Sequence, residues 1–258
     1  MPRFAANLSF LFNELPFLER FAAAKAQGFK AVEFMFPYDY PAQDLRAQLD
    51  KHGLALVLFN TAQGNWAAGE RGIAAIPGRE RECEAAIEKA LQYAHVLGNS
   101  LIHVMAGLVT DGAERAVFVA NLQRAADRAK SEGITLVIEP INTRDMPGYF
   151  LSRTRQAIDI LRDCGRPNVG LQFDLYHRHV MDGDVPAGLS EARPFIRHIQ
   201  IASPPDRGEP DQGDLDFRAL LSSIDASGYG GHIGLEYKPR GETVAGLKWM
   251  KALGVTPA

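Results

Sequence analysis

The chain has 258 residues, 46% of them hydrophobic and 23% charged, a globular composition that excludes a disordered or low-complexity polymer. Its 28 basic and 31 acidic residues are mixed along the sequence, the formal net charge is −3, and no basic block exists to grip a phosphate backbone, which argues against a nucleic-acid partner. Cys83 and Cys164 lie far apart and outside any Cys-x-x-Cys pattern, as expected of buried or surface thiols in a reducing compartment.

The first residues form a strand-like run rather than a basic region followed by a long apolar core. No apolar stretch reaches the ~20 residues that a membrane span needs. The expectation is a soluble cytoplasmic protein with a small-molecule partner and no membrane partner; the sequence leaves homo-oligomerisation open. Eight β-like runs follow one another: Arg3–Ser9, Ala31–Phe36, Leu54–Asn60, Leu101–Met105, Thr135–Glu139, Val169–Asp174, Ile196–Ile201 and His232–Glu236. They are nearly continuously apolar and rich in Val, Ile, Leu and Phe, as strands covered on both faces of a parallel sheet are. Between them lie helix-period segments, among them Arg79–Leu97, Glu114–Lys130 and Asp216–Ala226, each with one apolar stripe. Several of these segments stop at glycine, as at Gly53 and Gly98. Eight strand–helix repeats without a long linker predict an α/β protein built as one (β/α)8 TIM barrel, a single domain over residues 1–258. An open doubly wound sheet is the rival, but Asn7-Leu8-Ser9 stands where a glycine-rich phosphate fingerprint would follow the first strand, so no nucleotide cofactor is expected. Two irregular segments, Thr61–Gly78 and Ser203–Asp214, follow strands and should lie over the active-site face.

Polar residues interrupt the apolar strands at particular places. Glu139, Asp174, Gln200 and Glu236 stand at or near the C-terminal ends of the last four runs, about one β/α unit apart, so four oxygen-bearing side chains should meet at one barrel mouth. Buried carboxylates converging without a cation would repel one another, and an oxygen-rich donor set suits Mg2+ or Mn2+. A single acidic residue at a strand end is more often a helix cap or half of an ion pair; the metal reading rests on four together. His177, three residues after Asp174, can contact a substrate oxygen or orient a ligand, and His103 inside strand four is either a substrate contact or a satisfied interior histidine. Arg207 and Lys238 can supply the positive charge an acid substrate needs. Glu70 and Arg71 sit in the Thr61–Gly78 segment, a candidate lid, and Trp66 there is expected to wall the substrate pocket.

The segment running from Phe59-Asn60-Thr61-Ala62-Gln63-Gly64-Asn65-Trp66 to Pro77-Gly78-Arg79-Glu80 resembles the corresponding loop of hydroxypyruvate isomerases. His103-Val104-Met105-Ala106-Gly107 and Glu236-Tyr237-Lys238-Pro239 resemble other segments of that family, and the likeness runs over essentially the full length. The wider group is the xylose-isomerase-like barrels, which include ketose 3-epimerases and apurinic endonucleases. The resemblance implies interconversion of hydroxypyruvate and tartronate semialdehyde, or of a close acid such as a 2-oxo-tetronate, within glyoxylate and carbohydrate-acid metabolism. It implies that Glu139 and Glu236 match the proton-transferring pair and that Glu139, Asp174, Gln200 and Glu236 match the metal ligands. It further implies that His177 and Arg207 contact substrate. The epimerase relatives usually carry histidine where Gln200 stands, so the ligand set implied here departs from theirs at that position. A phosphodiesterase of the endonuclease type would want several metals, many histidines and a basic surface, which this sequence lacks.

Overall fold

A computed structural model describes residues 2–257. Its strands are β1 (Arg3–Asn7), β2 (Ala31–Glu33), β3 (Ala55–Leu56), β4 (Leu58–Asn60), β5 (Leu101–His103), β6 (Thr135–Ile138), β7 (Val169–Asp174), β8 (Ile196–Ile201) and β9 (His232–Leu235). All pair in parallel, in the order β3-β2-β1-β9-β8-β7-β6-β5-β4. The third predicted run is split at Val57 into β3 and β4, so eight runs yield nine strands. The gap between the two ends of the sheet is bridged by backbone bonds: Val57 N–H donates to Val32 (2.9 Å), Phe34 to Leu58 (3.2 Å) and Asn60 to Met35 (2.7 Å). These bonds close the sheet into the predicted barrel.

The helices α1 (Arg20–Ala26), α2 (Ala42–His52), α3 (Glu80–Leu97), α4 (Arg115–Lys130), α5 (Thr154–Cys164), α6 (Leu175–Asp182), α7 (Val185–Ala192), α8 (Phe217–Ala226), α9 (Thr243–Gly246) and α10 (Lys248–Leu253) complete the fold. The first residue of each of the three helical segments singled out in the sequence is an N-cap rather than a helical residue; Asp216 accepts a bond from Ala219 N–H in that role. Gly53 and Gly98 close α2 and α3 with φ of 59° and 73°, a left-handed turn that a β-carbon would oppose.

Strand periodicity positions the site. In β7, Leu171 and Phe173 join the apolar core while Gln172 and Asp174 alternate with them; in β8, Ile199 and Ile201 do so while His198 and Gln200 alternate. The register pairs Gln172 with His198 and Asp174 with Gln200, which stacks two polar layers inside the barrel. Both irregular segments predicted from sequence are present. A third, running from residue 139 to 153 after β6, was not expected; it also covers the barrel mouth and carries Asn142 and Asp145.

Candidate active site

Glu139 and Glu236 stand one residue beyond β6 and β9, Asp174 ends β7, and Gln200 lies inside β8. All four are buried. Glu139, Asp174, His177 and Glu236 offer ligand atoms that lie within 4.8 Å of one another. Asp174 Oδ1 caps α6, accepting from the N–H groups of Tyr176 (2.7 Å) and His177 (3.1 Å). The cap and cluster roles, alternatives in the sequence, thus fall to different oxygens of one carboxylate: Asp174 Oδ2 faces the cluster, and neither it nor Glu139 Oε1 finds a hydrogen-bond partner. Buried acceptors left unpaired are unfavourable, and carboxylate oxygens are the donors a hard divalent cation takes. The cluster therefore fits a metal ion.

His177 completes the cluster as a hydrogen-bond donor. Its Nδ1 lies 2.6 Å from Asn142 Nδ2 and accepts from the Asn142 backbone N–H (3.4 Å). Both are donors, so the ring hydrogen sits on Nε2, which points at Glu139 Oε1 (3.8 Å) and Asp174 Oδ2 (3.9 Å). Gln200 meets a competing arrangement. Its amide nitrogen faces Glu33 (2.7 Å) and Glu236 (3.4 Å), while its oxygen accepts from Gln172 (2.6 Å). The oxygen can serve a cation only by giving up Gln172.

Burial raises the Glu139 carboxyl well above the usual carboxylate range, and repulsion from Glu236 and Asp174 adds to it. Burial likewise pushes Glu236 up to about 8, although Arg207 beside it works the other way. Asp174 is raised by burial and partly restrained by Arg207 and the backbone N–H groups it caps. His103 and His177 are held neutral, His103 down to about 3 by burial and then by His198, His177 well below its usual value by burial and then by Arg207. Burial opposes the charge on Arg207, but the carboxylates around it outweigh burial and raise its pKa.

Arg207 is the cation that enters the cluster. Its guanidinium pairs with Glu236 Oε2, lies 4.0 Å from Asp174 Oδ2 and 3.7 Å from Asp145 Oδ2, and sits over Phe10 and Tyr176. It stands in a left-handed backbone turn (φ 59°) within the Ser203–Gly208 bridge, and its carbonyl accepts from Lys238 N–H (2.7 Å).

Above these groups is a cavity of about 180 Å3 lined by Trp66, His103, Glu139, His177, Arg207 and Glu236 among the predicted residues. Glu70, Arg71 and Lys238 do not line it. Glu70 binds Arg79 (2.6 Å) and the Asn65 N–H (2.6 Å), Arg71 lies 3.7 Å over the Trp66 ring, and the Lys238 side chain is exposed on the rim. Sequence reasoning missed the apolar wall of Phe10, Met35, Phe36, Met105, Ile141 and Met146, together with Asn60 and Asp145. A turn-rich run, Asn142-Thr143-Arg144-Asp145-Met146-Pro147-Gly148, was the available signal for the third loop.

The model of the xylose isomerase-like TIM barrel family matches residues 21–253. The chain belongs to that family. A 2-oxo-tetronate isomerase of Cupriavidus necator is 53% identical over 97% of this chain and 98% of its own length. The hydroxypyruvate isomerase of Escherichia coli is 45% identical over 97% of this chain and 98% of its own. Among solved structures, one from Brucella melitensis described as an AP endonuclease of family 2 is 48% identical, with a TM-score of 0.95 over 98% of this chain and 99% of that one. The family likeness confirms the barrel read from the strand–helix repeats. No described helix is long and apolar enough to cross a membrane.

Proposed function

We propose that this member of the family is an isomerase that moves a proton between neighbouring carbons of hydroxypyruvate, giving 2-hydroxy-3-oxopropanoate (tartronate semialdehyde). The observation that carries the reading is the Glu139–Glu236 pair: two buried glutamates with raised proton affinity, facing one small cavity beside a buried arginine. The similar Escherichia coli protein named hydroxypyruvate isomerase supports it. A second reading, a 2-oxo-tetronate as substrate, is favoured by the 53% identical relative. Both acids are small enough for a cavity of about 180 Å3.

Arg207 receives the substrate carboxylate, and His177 donates Nε2–H to a substrate oxygen. One glutamate, ionised, takes the proton from C3, and the C3–H electron pair becomes the carbon–carbon double bond of an enediolate. The other, protonated, delivers a proton to C2, while the hydroxyl proton passes from O3 to O2. Mutual repulsion within the buried cluster keeps one carboxyl protonated while another is ionised, the division of labour an acid–base pair needs. Mg2+ or Mn2+ held by Glu139, Asp174 and Glu236, with Gln200 beside them, would polarise the carbonyl and hydroxyl oxygens and favour the enediolate. Hydrogen moves without net oxidation, so no nucleotide cofactor is needed. The same reading gives one working domain over residues 1–258, in the cytoplasm, acting on carbohydrate acids.

Turnover of hydroxypyruvate, a 2-oxo-tetronate and a free ketohexose, before and after chelation, tests this. The acids are expected to react, chelation to suppress the reaction and Mg2+ or Mn2+ to restore it. Turnover of the ketose with neither acid accepted contradicts the proposal.

A further inference from the structure

We infer that Glu33 is a positioning residue of this site: its carboxylate fixes the direction of the Asn7 and Gln200 amides and thereby the way Glu236 is presented to substrate. The inference rests on the reading of Glu236 as an acid–base group. Glu33 ends β2, has no solvent exposure, and does not line the cavity. Its Oε1 accepts from Asn7 Nδ2 (3.0 Å) and Gln200 Nε2 (2.7 Å), and its Oε2 lies 2.7 Å from His198 Nε2. A carboxylate only accepts, so it draws the NH2 end of both amides toward itself. The same two nitrogens also reach Glu236 Oε1, at 3.2 Å from Asn7 and 3.4 Å from Gln200. Glu236 Oε1 is thus clamped by two donors whose NH2 ends Glu33 draws inward, an orientation that Ser9 N–H reinforces by donating to Asn7 Oδ1 (3.0 Å), and Oε2 is left to meet Arg207. The same choice turns the Gln200 oxygen away from Glu33 and onto Gln172.

Gly234 is an independent sign that the barrel makes room for this carboxylate. It lies in β9, in register with Gln200 of β8. A β-carbon built on it would overlap Glu33 Oε1 and lie 2.5 Å from Oε2. Its φ is outside the left-handed region, so the backbone does not ask for glycine; the space above it does. Barrel interiors are ordinarily filled by branched apolar side chains, and a buried carboxylate is unfavourable unless fully hydrogen-bonded. A carboxylate with three donors and a glycine cleared beneath it marks a place where donor direction matters more than packing.

The test compares Glu33→Gln, Gly234→Ala, their double variant and Glu236→Gln. Glu33→Gln keeps the size of the side chain but adds an NH2 that no longer forces both amides one way; Gly234→Ala displaces the intact carboxylate. Each single variant is expected to lose about 10–100-fold in kcat with KM little changed. The double variant should lose no more than the worse single one, because both act through the same carboxylate. Without substrate, 15N NMR should show the side-chain amides of Asn7 and Gln200 protected from exchange in the parent and unprotected in Glu33→Gln. Parent-like kcat in a folded single variant, losses that multiply in the double variant, or lost turnover with both amides still protected would each overturn the inference. If Glu33→Gln does not fold, Gly234→Ala decides. Glu236→Gln separates the two levels: full turnover there rejects the acid–base reading itself, whereas an inactive Glu236→Gln beside fully active Glu33→Gln and Gly234→Ala rejects the positioning role alone.

Discussion

Arg207 is largely withdrawn from water: its side chain is 12% exposed, paired with Glu236, and placed over two aromatic rings. Truncating one partner of a buried charge pair leaves the other uncompensated and is costly. Arg207→Ala should therefore raise KM for the acid substrate about 10–100-fold, with lysine restoring only part, because a point charge does not reproduce the planar guanidinium. Steady-state kinetics of the two variants checks this; an unchanged KM in Arg207→Ala would remove the arginine from substrate binding. At this scale the carboxylates were legible because each breaks an otherwise apolar strand at its C-terminal end. Glu33 breaks its strand in the same way, but its partners Asn7, His198 and Gln200 come from two other strands, and only the register brings them together. The donor direction of His177 was also beyond the sequence, since it depends on Asn142 in a separate loop.

The Thr61–Gly78 segment shows what can be read from a loop and what cannot. Its position over the mouth followed from its place after a strand. The direction of its side chains did not: Glu70 faces Arg79 and the Asn65 N–H, while Trp66 leans toward Phe36 (ring centroids 5.9 Å apart) and the cavity. The Arg79 guanidinium, and then the Asn65 N–H that donates to Glu70, hold the Glu70 carboxyl below its usual pKa, so Glu70 stays ionised as a loop pin near neutral pH. Trp66 is 40% exposed, and its removal should leave thermal stability nearly unchanged. Trp66→Ala is expected to raise KM severalfold with little change in Tm; a large fall in Tm with normal KM would make Trp66 a structural residue instead. The split of the third strand at Val57 is a related case. The run is continuous in hydrophobicity, but its two halves pair with different neighbours, β2 on one side and β5 on the other.

Across the whole molecule, stability should carry the signature of the buried carboxyls. Glu236 is pushed up to about 8 in the fold, against about 4.5 when unfolded, so between those values the native state holds more protons than the unfolded one. Stability of the cation-free protein should therefore be highest with this group protonated and fall as pH rises toward about 8. His103, His177 and His232 act in the opposite sense as the pH falls through about 6.5, where the unfolded chain would protonate them. From about pH 7 to 8, where the histidines of the unfolded chain are mostly neutral, the carboxyls dominate. In chelator-treated protein Tm should decline across that range, Glu236→Gln should flatten the decline, and a divalent ion should reverse it by favouring the ionised forms. A Tm that rises with pH there would contradict the burial argument. The barrel itself was legible from strand–helix alternation and continuous apolar runs; its polar interior was not, because inward-facing layers depend on register between distant strands. Exchange of the carbon-bound proton by Glu139 and Glu236 is measured most directly by following deuterium from D2O into substrate and product carbons by NMR, for the parent and for Glu139→Gln and Glu236→Gln. The parent is expected to incorporate deuterium and each folded variant to do so at least ~100-fold more slowly; either variant incorporating deuterium at the parent rate would rule out its glutamate as the proton carrier.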